Sequence, residues 1–244
     1  MSNIDQNNKK SFGLRNGKKI FEGFNDERKV KDRKIKEKKR LGYEFFKFNF
    51  ETKNNELPKK YINSIIQDDS LKLLKKLPDN CVDLVFTSPP YNFGLDYENH
   101  NDTYQWNEYF KSLFKIFDEC IRVLKYGGRI IVISSIAGIT GSPVLGAYSI
   151  SKTADLGLVR SLATEWGPKN ITVNALCPGL IKTDFARALW EDPETLSKVE
   201  ANAPLKRIGV PDEVAGAAVL LASESGAFIT GQKIVMDGGV TITS

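Results

Sequence analysis

Two apolar runs, Val82-Asp83-Leu84-Val85-Phe86-Thr87 and Arg129-Ile130-Ile131-Val132-Ile133-Ser134, constrain the fold more than any other feature of the chain. Each is short, apolar and bounded by Pro-Pro or Gly-Gly, the pattern of a strand buried on both faces. Between them, Tyr104 to Leu124 places Phe110, Leu113, Phe114, Phe117, Ile121 and Leu124 on one helical face, and Gly127-Gly128 is expected to close that helix. A strand, a covering helix and a second buried strand imply a parallel pair, since an antiparallel return needs only a hairpin. The alternation continues downstream. A helix is expected from Ala147 to Trp166, ended by Gly167-Pro168, then a strand over Ile171 to Leu176. Helical pieces follow around Phe185–Trp190 and Glu194–Ala201, then a helix opened by Pro211 and running through Ala215 to Ala222, and a last strand from Lys233 to Met236. Upstream, Ile62 to Ile66 reads as a short strand and Ser70 to Lys76 as a short helix with Ser70 as N-cap. The implied class is α/β, three layers α/β/α around a mostly parallel sheet.

A chain of 244 residues buries one good core. Its net charge of +5 is unevenly spread. Residues 1–60 hold 18 Lys/Arg against 9 Asp/Glu, so the basic character belongs to a low-order arm over 1–57, centred on Arg28 to Arg40. Such an arm reads either as a solvated tail or as a contact for DNA phosphates. Three cysteines without ligand spacing and a single histidine, His100, leave no metal site and no Ser-His-Asp mechanism. Free thiols, a polar N-terminus and the lack of a spanning apolar run point to the cytoplasm and away from a membrane.

The chemistry of the second half rests on Ser135, Tyr148 and Lys152. Tyr148 and Lys152 stand four apart on a helix and so share a face. A tyrosine ordinarily ionises near pH 10, and an adjacent ammonium is expected to lower that value. Ser135, at a strand end, can hold a substrate carbonyl beside the phenol, which makes a general acid–base set without histidine. Around them lie Ser134-Ser135-Ile136-Ala137-Gly138, Asn170-Ile171-Thr172-Val173-Asn174-Ala175-Leu176-Cys177-Pro178-Gly179, Ile181-Lys182-Thr183 and Asp237-Gly238-Gly239. This ordered set resembles the second half of a short-chain dehydrogenase/reductase. The resemblance implies a Rossmann-like fold and hydride exchange between NAD or NADP and a small alcohol or carbonyl substrate. It implies Tyr148 as proton donor or acceptor, Lys152 as ribose contact and Ser135 as substrate orienter. Pro178, Gly179, Ile181 and Thr183 would lie beside the nicotinamide. Phe185, Leu189 and Trp190 would belong to a substrate lid, with ordinary helix packing as the alternative. The family's fourth catalytic residue has only Asn107 as a candidate. Its Gly-rich pyrophosphate turn has no counterpart, because Gly13, Gly17, Gly23, Gly42 and Gly94 form no cluster.

Thr87-Ser88-Pro89-Pro90-Tyr91 has a separate logic. Methylating an exocyclic base amine needs acceptors for the amine hydrogens and a ring to stack on the extruded base. Ser88, Pro89, Pro90 and Tyr91 match those needs, or Pro-Pro is plain loop punctuation. With Leu77-Pro78-Asp79-Asn80 before it and Arg122-Val123-Leu124-Lys125 after it, the segment resembles the catalytic loop of a DNA amino-methyltransferase. That resemblance implies S-adenosylmethionine as cofactor and DNA as partner.

The combined reading is a chimera with three parts: a basic arm at 1–57, a methyltransferase-like segment at 58–127 and a dehydrogenase-like half at 128–244, the last two joined as one hybrid domain or standing apart. The central first strand is missing, which leaves Val82–Thr87 as an unpaired sheet edge. Dehydrogenase chemistry with a weakened cofactor grip is the leading expectation, a methyltransferase fragment the second and an inactive product the third. Homo-oligomers are expected through the helix from Ala147 to Trp166 and the tail from Lys233, with Ala215, Gly216, Ala217 and Ala218 allowing close packing between subunits or inside one.

Overall fold

The structure, a computed structural model, describes residues 14–15, 18–19, 53–91, 104–141 and 145–243. The expected arm at 1–57 and the loop carrying His100 lie mostly outside the described residues. The chain divides into two compact units, Met1–Phe48 with Gln105–Lys115, and Asn49–Tyr104 with Ile116–Ser244. In the first, the two-residue strands Leu14–Arg15 and Lys18–Lys19 pair antiparallel. Its other described part is the start of a helix, where Trp106, Phe110 and Phe114 stack successively at 5.8 and 6.0 Å between ring centroids. Residues four apart meet on one helix face, which is why these rings form a ladder.

The second unit is built on a four-stranded, wholly parallel sheet: β1 (Val82–Thr87), β2 (Leu124–Ile133), β3 (Thr172–Pro178) and β4 (Lys233–Met236), in that spatial order. The connecting helices are α1 (Ser70–Leu74), α2 (Trp106–Val123), α3 (Gly146–Trp166), α4 (Arg187–Trp190), α5 (Pro193–Asn202), α6 (Pro211–Ala222) and α7 (Val240–Thr243). Alternate strand residues point to opposite faces. On one face Ile131, Ile133, Leu176, Ile234 and Met236 meet Leu221, Val214, Ala217 and Ala218 of α6. Ala217 and Ala218 therefore pack inside the subunit. Cys177 points to the other face, where it lies within electrostatic range of Asp155 on α3. Helices thus flank the sheet on both sides, as the alternation of elements requires.

Several expectations change. Ile62 to Ile66 forms no strand: Asn63 takes a left-handed φ of 52°, and Ile65 is fully exposed. A strand with no neighbour to bond gains nothing from being extended. The cap of α1 is Asp69, not Ser70, because its carboxylate accepts from the Lys72 amide at 2.8 Å. Gly127-Gly128 does not end α2; β2 begins directly at Leu124. The glycines sit in an irregularity between the pairs Val82↔Leu124 and Leu84↔Arg129, where Gly127 has a φ of 80° and a side chain at Gly128 would strike Leu124. The Leu77–Asp79 segment is held structurally: Arg122 donates to the carbonyls of Leu74 (2.8 Å) and Leu77 (3.0 Å) and pairs with Asp79 and Glu119. Among the described residues β1 has one strand neighbour, and Leu84 and Phe86 are exposed on one of its faces. No helix of the described residues is long and apolar enough to cross a membrane.

Candidate active site

The carboxyl end of β2 and the first two turns of α3 are locked together by side chains that bond backbone. Ser134 Oγ donates to the Lys152 carbonyl at 2.9 Å, and Thr153 Oγ1 donates to the Gly138 carbonyl at 3.1 Å. Gly138 is required for that approach, since a Cβ there would lie 2.7 Å from the Lys152 carbonyl. Ser135 opens the short 3-10 turn Ile136–Gly138, and its Oγ accepts from the Ala137 amide at 3.1 Å. That bond uses Ser135 Oγ as acceptor and leaves its proton to donate, and Ser135 counts among the groups that favour the ionised phenol of Tyr148.

Lys152 is 1% exposed. Its ammonium has three protons and three acceptors: the Ile133 carbonyl at 2.8 Å, Asp155 Oδ2 at 3.3 Å and Ser88 Oγ at 3.5 Å. It also lies 4.4 Å from the centroid of the Tyr91 ring and 5.8 Å from that of Tyr148. Tyr91 in turn packs edge-on to Tyr148 at 5.3 Å and tilted to Phe185 at 6.0 Å. Ser88 and Tyr91 meet through their hydroxyls at 3.4 Å. The loop after β1 therefore folds onto the same cluster as α3.

Burial pushes the Tyr148 hydroxyl above its ordinary value; Ser135 opposes this, and Tyr91 and Asp155 add to it. The lowering expected from Lys152 is not found: the phenol instead moves up, burial is the largest cause, and Lys152 is not among the groups that move it. Burial likewise raises the Asp155 carboxyl to about 6, more than the Lys152 charge lowers it.

The other expected residues are placed as follows. Pro178 ends β3, and Gly179 donates to the Met236 carbonyl at 2.9 Å while leaving no room for a side chain beside Asp237. Ile181 bridges to Gly209, and the Thr183 hydroxyl bonds the Ile181 carbonyl at 3.5 Å. Of the lid residues, Phe185 reaches the cluster through Tyr91. Trp190 Nε1 instead donates to the Thr183 carbonyl at 2.8 Å, and Leu189 is exposed. Pro89 is buried and Pro90 half-buried behind Ser88. Asn107 belongs to the first unit, whereas Ser135, Tyr148 and Lys152 belong to the second. A cavity of about 200 Å³, lined among others by Leu180, Ile181, Leu205, Ile208 and Met236, contains none of those three. Among the described residues no His/Cys/Asp/Glu cluster suits a metal ion. The sequence reading missed Asp155; its signal was a carboxylate at i+3 from Lys152 and i+7 from Tyr148, on the same helix face.

The comparisons with known proteins bear on this parallel α/β sheet and on the cluster of Ser135, Tyr148 and Lys152 at the carboxyl end of β2. A family model described as Enoyl-(Acyl carrier protein) reductase matches residues 94–241, and the chain belongs to that family, among the short-chain dehydrogenases/reductases. The match includes α2, which the sequence reading had placed in the methyltransferase-like segment. Dehydrogenase/reductase SDR family member 4 of Bos taurus is 49% identical over 113 residues, 46% of this chain and 40% of that protein. The chain thus spans well under half the length of this curated relative. A short-chain dehydrogenase family protein from Francisella tularensis superimposes with a TM-score of 0.56 at 26% identity, covering 70% of this chain and 75% of the other. A gluconate 5-dehydrogenase from Burkholderia cenocepacia, in complex with NADP and tartrate, superimposes with a TM-score of 0.54 at 27% identity, covering 67% and 66%.

Proposed function

We propose that the protein is an oxidoreductase of the short-chain dehydrogenase/reductase type that exchanges a proton with a small alcohol or carbonyl compound through Tyr148, and that its grip on NAD or NADP is weak. The single observation that carries the reading is the buried Lys152 ammonium, 5.8 Å from the centroid of the Tyr148 ring, beside the strand end that carries Ser135. Ser135 would turn its one hydroxyl proton from Tyr148 toward the oxygen of the bound compound, and Tyr148 supplies or removes the proton on that oxygen. The bond from the Ala137 amide holds the Ser135 rotamer, so the donor is oriented before binding.

The described residues do not fit a whole dinucleotide. Pro178 ends β3 and Gly179, Ile181 and Thr183 follow it, where the family resemblance puts the nicotinamide. No glycine occurs in residues 53–91, however, so no described turn before β2 lets a backbone approach a pyrophosphate. All three Lys152 protons already have acceptors, so a ribose hydroxyl would have to displace one of them.

The methyltransferase reading, with S-adenosylmethionine and DNA, is disfavoured by one contact. The Tyr91 ring, which would stack on a base, is packed against Lys152, Tyr148 and Phe185.

Calorimetry with NADH and NADPH is expected to give dissociation constants above the micromolar range; micromolar binding of either would overturn the weak-grip reading. With millimolar cofactor and a panel of short alcohols and ketones, turnover is expected to fall by about 10²-fold or more in Tyr148→Phe. Equal turnover in the variant would remove Tyr148 from the chemistry.

A further inference from the structure

Lys152 and Asp155 form a buried ion pair inside the proton-transfer cluster. Their side chains are 1% and 12% exposed, and Nζ to Oδ2 is 3.3 Å. Tyr148, Lys152 and Asp155 stand at i, i+4 and i+7 of α3, so one helix face carries phenol, ammonium and carboxylate in succession. A buried charge without a counter-charge is strongly disfavoured, and the other acceptors at Lys152, Ser88 Oγ and the Ile133 carbonyl, are neutral. We propose that Asp155 is a positioning residue of this site: it clamps Lys152 against the Ile133 carbonyl and cancels the ammonium charge that Tyr148 would otherwise feel. This rests on the acid–base role proposed for Tyr148 and deepens it.

Among the described residues, the titratable groups that face the pair come from three elements. Lys152 and Tyr148 lie on α3 itself, Cys177 faces Asp155 from β3, and Tyr91 faces Lys152 from the loop after β1. Cys177 is buried, and burial pushes its thiol up. It therefore adds no charge near neutral pH. Asp155 also stands among the groups that hold the Tyr148 phenol above its ordinary value.

The test is a carbon-13 NMR titration of tyrosine labelled at Cζ, with Tyr148 assigned from Tyr148→Phe. It needs neither cofactor nor turnover, so failure of the dehydrogenase reading and failure of this one are separable. In Asp155→Asn the Tyr148 midpoint is expected to move down by about one pH unit or more, because the nearby ammonium is no longer neutralised. In Asp155→Glu, which keeps the charge, it is expected to stay near the wild-type value. An unmoved midpoint in folded Asp155→Asn, or equal shifts in both variants, would overturn the proposal. Should Asp155→Asn alone not fold, Lys152→Met and Lys152→Met/Asp155→Asn carry the comparison, since the double variant leaves no orphaned charge. With no ammonium left to clamp or cancel, the double variant is expected to titrate only slightly below Lys152→Met, by the direct charge of Asp155 alone. A fall of about one pH unit or more between them would show Asp155 acting without Lys152 and would overturn the proposal.

Discussion

Replacing Gly138 by alanine should destabilise the protein and move Lys152, while the same replacement at Gly157, on the same helix that Gly138 abuts, should do the opposite. A Cβ at Gly138 would lie 2.7 Å from both the carbonyl carbon and the oxygen of Lys152, and 3.0 Å from the Thr153 amide nitrogen. All three are backbone atoms of α3, so no side chain can swing away, and the helix itself must shift. Overpacking of this kind costs about 1–3 kcal/mol. The shift also stretches the bonds from Thr153 Oγ1 to the Gly138 carbonyl and from Ser134 Oγ to the Lys152 carbonyl, each worth about 1 kcal/mol. The upper half of that range is therefore expected. At Gly157 a Cβ meets nothing within 4 Å. An alanine there removes the backbone-entropy cost of a mid-helix glycine, a gain of about 0.5–1 kcal/mol. Urea unfolding followed by circular dichroism reads both, with the slope checked for constancy. Gly138→Ala as stable as the wild type, or the two variants shifting in the same direction, would refute the argument that α3 is docked by backbone contact at this glycine.

Asp155 gives a pH signature of its own. Its carboxyl stands at about 6 in the folded chain against an ordinary 3.8, so the folded state holds the proton more tightly than the unfolded one. The linked stabilisation is complete below pH ~3.8 and is lost as pH rises through about 6. Unfolding free energy plotted against pH should fall across that window in the wild type and lack this component in Asp155→Asn; parallel curves would refute it. For association, the exposed Ile150 on α3 and Ile242 on α7 suit subunit contacts, whereas the exposed edge at Leu84 and Phe86 suits open-ended growth. Light scattering is expected to give a discrete dimer or tetramer; a clean monomer would refute the inherited interface, and a broad high-mass population would implicate β1.

Local sequence determined the elements whose signal is complete within a few residues. Val82–Thr87 and Lys233–Met236 form strands with the expected bounds, because β-branched or apolar runs ended by Pro-Pro or Asp-Gly-Gly admit little else. The helix from Gly146 to Trp166 lies within one residue of expectation for a similar reason: it is closed by Gly167-Pro168. That Tyr148 and Lys152 share one helix face was legible too, from the helix period. Where a signal needs a partner, tertiary structure decided. Ile62 to Ile66 has strand composition but no neighbour to bond, and Gly127-Gly128 became part of a sheet irregularity because Leu124 pairs with Val82 before the helix has room to unwind into a loop. The direction of the Tyr148 perturbation also lay outside local reading, since it turns on burial, with Tyr91 and Asp155 adding to it. Most of all, nothing near Ser88 or Tyr91 in the chain announces that they close over Lys152, 64 residues beyond Ser88. Parallel β1 and β2 end side by side, and whatever loop follows β1 must then fall on the helix that follows β2.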